Sequence, residues 1–145
     1  MAQAFRKEGD APEELPERPV PEGPNYVTPG GLRALEAAAA ALARRRETSG
    51  EDERKALDRD LRYYAARVES AIVVDNSQSP PPVVRFGATV ETDAGTFSIV
   101  GQDEADPAIG KLSWSAPLAM ALMGAKPGDV IDWDGGALTV LSLRY

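Results

Sequence analysis

Two short apolar series at helical spacing, parted by a polar turn, constrain this chain more than any other feature. Leu32, Leu35, Ala39 and Leu42 recur at intervals of 3, 4 and 3, and Leu57, Leu61, Tyr64, Val68 and Ala71 at 4, 3, 4 and 3. Each series traces one seam along a helix, and matching seams on either side of a short turn predict an antiparallel helical hairpin over residues 28–75. Thr28 stands as the N-cap with Pro29 at the first helical position, where a missing amide hydrogen costs nothing. At the turn, Arg44, Arg45 and Arg46 suit the negative end of the first arm, and Ser49 with Asp52 resembles a capping box for the second. The alanine-heavy first arm buries little area per contact, so the hairpin alone is expected to be marginal.

The flanks read differently. Residues 1–27 are rich in Pro and Glu and poor in apolar side chains, and are expected to be a flexible or partner-ordered tail. Asn76 to Pro82, NSQSPPP, is a stiff linker. From 83 to 145 the period changes to that of strands: Val83 to Val90, Thr96 to Val100, Lys111 to Trp114, Val130 to Trp133 and Ala137 to Leu143. Asp134-Gly-Gly136 is a hairpin turn between the last two strands. Ser115 is placed to cap a short helix that has Pro117 in its first turn and ends at Gly124. The whole is α+β: a helical hairpin followed by a mainly antiparallel sheet with one short helix.

Composition removes several kinds of chemistry. The chain has no cysteine and no histidine, which excludes disulfides, zinc sites of the usual donor types and histidine acid/base catalysis. No run approaches the roughly 18 apolar residues of a membrane span, and Met1 to Asp10 carries acids without an apolar core, so a cytoplasmic protein with no membrane partner is expected. The net charge of −7 is unevenly spread: −3 over residues 1–27 (3 basic, 6 acidic), +1 over 28–71 (9 and 8) and −5 over 72–145 (4 and 9). The one basic cluster is Arg44 to Arg46, too little for free duplex DNA to be the main ligand.

Four spaced motifs carry a family resemblance. FGATV (Phe86 to Val90), IVGQDEADP (Ile99 to Pro107), SAPLAMALMG (Ser115 to Gly124) and GDV (Gly128 to Val130) resemble, in order and spacing, the C-terminal domain of the Gre family, the bacterial transcript-cleavage factors GreA and GreB. AFRKEGD, ELPERPVP and NYVTPGGL (Asn25 to Leu32) resemble the GreB-like segment ahead of the coiled coil. The resemblance implies an FKBP-like C-terminal domain over 83–145 that docks on bacterial RNA polymerase at the secondary-channel rim. It also implies a coiled coil pushed inward, with contact to RNA or DNA only within the elongation complex. The factor is then a regulator of elongation, not itself an enzyme: it needs no cofactor, has no catalytic residues and no metal site of its own.

In active members of the family, acids at the coiled-coil tip in a Gly-Asp-Leu-x-Glu-Asn pattern help hold a second magnesium ion and a water at the polymerase active centre, as hard oxygen ligands do. This sequence has no such string. Between Thr28 and Asp75 it is also shorter than the family's coiled coil by on the order of twenty residues, about ten per arm or about 15 Å of reach. Cleavage stimulation is therefore expected to be lost or weak. The tip acids Glu47, Glu51, Asp52 and Glu53 are a displaced metal-binding tip or, as helix starts often are, simply acidic for capping and dipole reasons. Arg44 to Arg46 are a basic contact face or a solvated helix end.

Asp103, Glu104 and Asp106, with no Lys or Arg beside them in sequence, ask for a basic partner, and with Ser115 and Pro117 they are the expected polymerase-docking residues. Three other readings stand beside this one. They are a cleavage-competent GreB-type factor, an inhibitor resembling the short-coiled-coil relative Rnk, and a coiled-coil module that self-associates without polymerase.

Overall fold

The computed structural model describes residues 15–145, and the first fourteen residues of the expected tail lie outside the described part. Strand β1 (Asn25–Val27) leads into helix α1 (Pro29–Glu47) and helix α2 (Glu51–Ser70), and the chain returns as β2 (Ala71–Val73) parallel to β1. The expected start of α1 is present: Thr28 Oγ1 accepts from the Gly31 amide at 2.9 Å, with Pro29 following. Leu35 and Leu57 are buried where the arms meet, whereas Leu61, Tyr64 and Val68 are half-buried. The turn differs from expectation. The N-cap of α2 is Gly50 without a side-chain cap, and Ser49 Oγ instead donates at 2.6 Å to the Arg45 carbonyl, closing the end of α1.

Five strands form the second sheet: β3 (Thr89–Thr92), β4 (Gly95–Val100), β5 (Lys111–Ser113), β6 (Val130–Trp133) and β7 (Gly136–Arg144), with helix α3 (Pro117–Leu122) after β5. Their order is β5-β4-β3-β7-β6, antiparallel except for β4 with β5. Alternation along β3 and β7 places Val90, Leu138 and Val140 in the core with Ile99, Leu112, Ala119 and Leu122. At the β6–β7 turn Asp134 (φ 53°) and Gly135 (φ 77°) both adopt the left-handed conformation that a two-residue hairpin turn needs.

Three local expectations are corrected. Only the last two residues of the Val83 to Val90 stretch belong to a strand. Val84 exchanges backbone hydrogen bonds with Ala125 and Gly124 (2.8 and 2.9 Å), and Gly87 (φ 90°) turns the chain, so its apolar side chains are buried from a loop. Ser115 is not the cap of α3; Ala116 holds that position without a side-chain bond, and Ser115 Oγ pairs with Ser113 Oγ at 2.8 Å. Finally, residues 25–27, read as the end of a tail, are β1. Their ordering is offset by burial of Val27 and by Tyr26, whose ring meets Trp114 edge-on at 5.1 Å and Phe86 at 6.2 Å.

The β1–β2 pair therefore joins hairpin and sheet domain, and the end of β4 closes on it. A Cβ at Gly101 would stand 2.6 Å from the Tyr26 carbonyl oxygen, a backbone atom that cannot swing away. Gly101→Ala is expected to cost about 1–3 kcal/mol through this overlap. Denaturant unfolding of the variant measures the loss, and an unchanged midpoint would show that the two backbones are not in contact.

Candidate functional site

The loop between β4 and β5 carries the three acids singled out in the sequence, and the structure separates them. Asp103 faces inward: Oδ2 accepts from Arg67 Nε at 2.6 Å and Oδ1 accepts from the Tyr63 hydroxyl. Its side chain is 16% exposed although the loop backbone lies open. Glu104 accepts at 2.7 Å from Thr28 Oγ1, the same hydroxyl that caps α1. Asp106 remains on the surface and accepts at 3.3 Å from the Ala108 amide, capping the 3-10 turn Pro107–Ile109.

The expectation that these acids lack a basic neighbour is thus overturned for Asp103. Its partner lies 36 residues earlier on α2, out of reach of any local reading. Arg67 is 1% exposed, and its Nη2 also donates to Asn25 Oδ1 at 2.8 Å and Gln102 Oε1 at 2.9 Å. Asn25 closes the network through Nδ2, which donates to the Arg67 carbonyl at 2.8 Å and to Ser70 Oγ at 3.2 Å. A buried guanidinium is tolerated when paired and hydrogen-bonded in this way. Asn25, Tyr63, Arg67 and Gln102 were missed in the sequence. The one signal available was Tyr63 and Arg67 four residues apart beside the apolar seam, so that they share a helix face.

Ser115 and Pro117 lie beyond the other end of β5, a three-residue strand about 10 Å long, from Asp106. Both are exposed. Large apolar side chains are exposed in the same two segments: Ile109 (66%) on the 3-10 turn and Met120 (63%) on α3. Loop and helix start therefore flank one sheet edge, with Asp106 as the acid still open to solvent.

At the hairpin tip two of the three arginines pair with acids of α2. Arg45 Nη2 bonds Glu53 Oε2 at 2.7 Å, and Arg46 is bidentate on Asp58 at 2.5 and 3.3 Å. These arginines hold the Glu53 and Asp58 carboxyls below their ordinary range, first through the hydrogen bond and then through charge. Arg44 to Arg46 is thus not an open basic face along its whole length. Glu47, Glu51 and Asp52 are exposed around the turn. Among the described residues no group of three or more Asp or Glu side chains converges to hold a cation.

Against known proteins, the family described as "Transcription elongation factor, GreA/GreB, C-term" matches residues 79–145. The chain is 34% identical over 156 positions to a transcription elongation factor GreB from Neisseria meningitidis serogroup A, covering 86% of this chain and 96% of that one. It is 40% identical over 114 positions to a GreB of Xanthomonas axonopodis pv. citri (72% and 67% covered). Over 96 positions it is 41% identical to a GreA of Bartonella tribocorum (59% of each). A solved GreA/GreB factor from Nitrosomonas europaea superposes with a TM-score of 0.41 at 26% identity, over 83% of this chain and 99% of that one. In the Neisseria alignment, 86% of 145 residues is about 125, so about 31 of the 156 positions have no counterpart in this chain. No helix among the described residues is long and apolar enough to cross a membrane.

The junction makes a pH prediction. Burial, then the hydrogen bond to Asp103 and its negative charge, push the Tyr63 hydroxyl from 10.0 up to about 12. The folded state keeps this proton where the unfolded chain has lost it, so the stability involved is present below about pH 10 and lost as pH rises to about 12. Ultraviolet titration should show one of the four tyrosines ionising last, and Tyr63→Phe should remove that step. Asp103→Asn should move it down in pH. A last step unmoved by Asp103→Asn would mean that the carboxylate is not its partner.

Proposed function

The chain belongs to the GreA/GreB family of transcription elongation factors, and we propose that it binds RNA polymerase at the secondary channel through its sheet domain without stimulating transcript cleavage. The observation that carries this reading is the hairpin tip. Helices of 19 and 20 residues reach about 30 Å, and they end in acids that pair with arginines or stand apart. The family's cleavage chemistry asks the tip to present carboxylates to a metal ion at about 2 to 2.5 Å, a distance that a tip short by two or three helical turns cannot recover by side-chain rotation. The positions of the Neisseria relative that lack a counterpart here support a chain shortened inside the aligned span.

Docking rests on different residues from chemistry, and the sheet domain is the part that the family description matches. Exposed Ile109 beside Asp106, and exposed Met120 beside Ser115 and Pro117, place apolar and polar groups at both ends of the β5 edge, a mixture of the kind that protein partners cover. Asp103 and Glu104 serve this surface indirectly, by holding the loop against the hairpin.

Separating docking from chemistry has a direct consequence. Added to backtracked elongation complexes that an active Gre factor is cleaving, this protein should slow cleavage in proportion to its occupancy of the shared site. Added alone, it should leave the RNA intact. Cleavage by the protein alone, abolished in a Glu51→Ala, Asp52→Ala, Glu53→Ala variant, would overturn the reading. Failure to compete at any concentration would remove the polymerase site from it.

A further inference from the structure

Ahead of β1, residues 15–18 lie beside α2, and Glu17 and Arg18 are tied to it by side chains. Glu17 takes a two-pronged bond from Arg62 (2.9 and 2.5 Å), but both partners are more than half exposed, and such pairs contribute little. Arg18 is placed differently. Its guanidinium carbon lies 3.9 Å from the Tyr63 ring centre and 5.3 Å from that of Tyr64, with Nη1 3.4 Å from Asp60 Oδ1. The two tyrosine rings meet edge-on at 5.3 Å, so Arg18 sits in an aromatic corner with a carboxylate at its back. Tyr63 is the residue whose hydroxyl donates to Asp103. One ring thus carries Arg18 on its face and the interdomain loop at its tip.

We propose that residues 15–18 are a strap whose Arg18 clamps the Tyr63 ring, and through the Tyr63 hydroxyl holds the Asp103 loop closed on the hairpin. With Arg18 in place the ring is covered and its only polar atom is directed at Asp103. Without it one face of the ring opens to water, and the loop keeps Arg67 but loses a tyrosine fixed in position. The strap acts on the join between hairpin and sheet domain, and does not depend on what the protein binds.

Hydrogen exchange on the full chain tests this, because the loop carries its own reporters. The Glu104 amide bonds the Gly101 carbonyl (3.2 Å) and the Asp106 amide bonds the Lys111 carbonyl (2.8 Å). Arg18→Ala should speed exchange of these two amides by on the order of 2- to 30-fold, the range that a cation–π contact spans, with β3 and β7 amides unchanged. Glu17→Ala should change them less than about twofold, as an exposed pair does. In a Tyr63→Phe background, which keeps the ring and removes the hydroxyl, Arg18→Ala should add nothing further at the loop. Unchanged loop exchange in Arg18→Ala, equal acceleration throughout the chain, or a full additional effect in the Tyr63→Phe background would each overturn the strap.

Discussion

A guanidinium buried to 1% exposure cannot be left unpaired, and the way Arg67 is satisfied fixes how the two halves of this protein sit together. From α2 it reaches partners on two other segments: Asn25 on β1, and Gln102 and Asp103 on the β4–β5 loop. Removing one partner of a buried charge pair usually costs about 3–5 kcal/mol, because the other is stranded, whereas replacing both with apolar groups is often neutral. The network's worth is thus less in stability than in specificity. In this geometry Arg67 Nε and Nη2 bond groups on both β1 and the β4–β5 loop, which ties the base of the hairpin to the sheet domain.

The hairpin needs such an anchor. Its first arm is mostly alanine on the inner side, and only Leu35 and Leu57 are buried large apolar residues from the two seams. The ion pairs at its tip are exposed, and such pairs contribute little. Stability therefore reaches the hairpin from its base, where β1 pairs with β2, Tyr26 packs on Trp114, and Gly101 lets the end of β4 approach the Tyr26 carbonyl. The same construction explains why tip and base can serve different ends: the tip is free to vary in length and charge while the base keeps its aim.

Local signals carried much of this into the sequence. Helical spacing, Thr28 ahead of Pro29, and Asp134 with Gly135 between two strands each act within a few residues, and each marks an element that the structure contains. What escaped was set by distance along the chain. Asn25 and Ala71 are brought together by the hairpin between them, so a three-residue parallel pair had no local trace and residues 25–27 read as tail. Asp103 read as a solvent-facing acid for the same reason, its arginine being on another element. Val83 to Ala88 has strand composition, yet its backbone bonds go to Ala125, Gly124 and Ile99 in a loop that Gly87 bends. Of the candidate docking residues, Asp106, Ser115 and Pro117 are exposed as read from the sequence; that Asp103 and Glu104 belong to the join was not legible.

The absence of cysteine makes the central claim directly measurable, since two introduced thiols would be the only ones in the chain. With spin labels at Glu51→Cys on the hairpin tip and Lys126→Cys on the sheet domain, double electron–electron resonance should give one narrow distance distribution. Adding Asp103→Ala should broaden it while circular dichroism still reports the helices and sheet. A distribution that stays narrow and unshifted in Asp103→Ala would contradict the claim that the Arg67 network aims the hairpin.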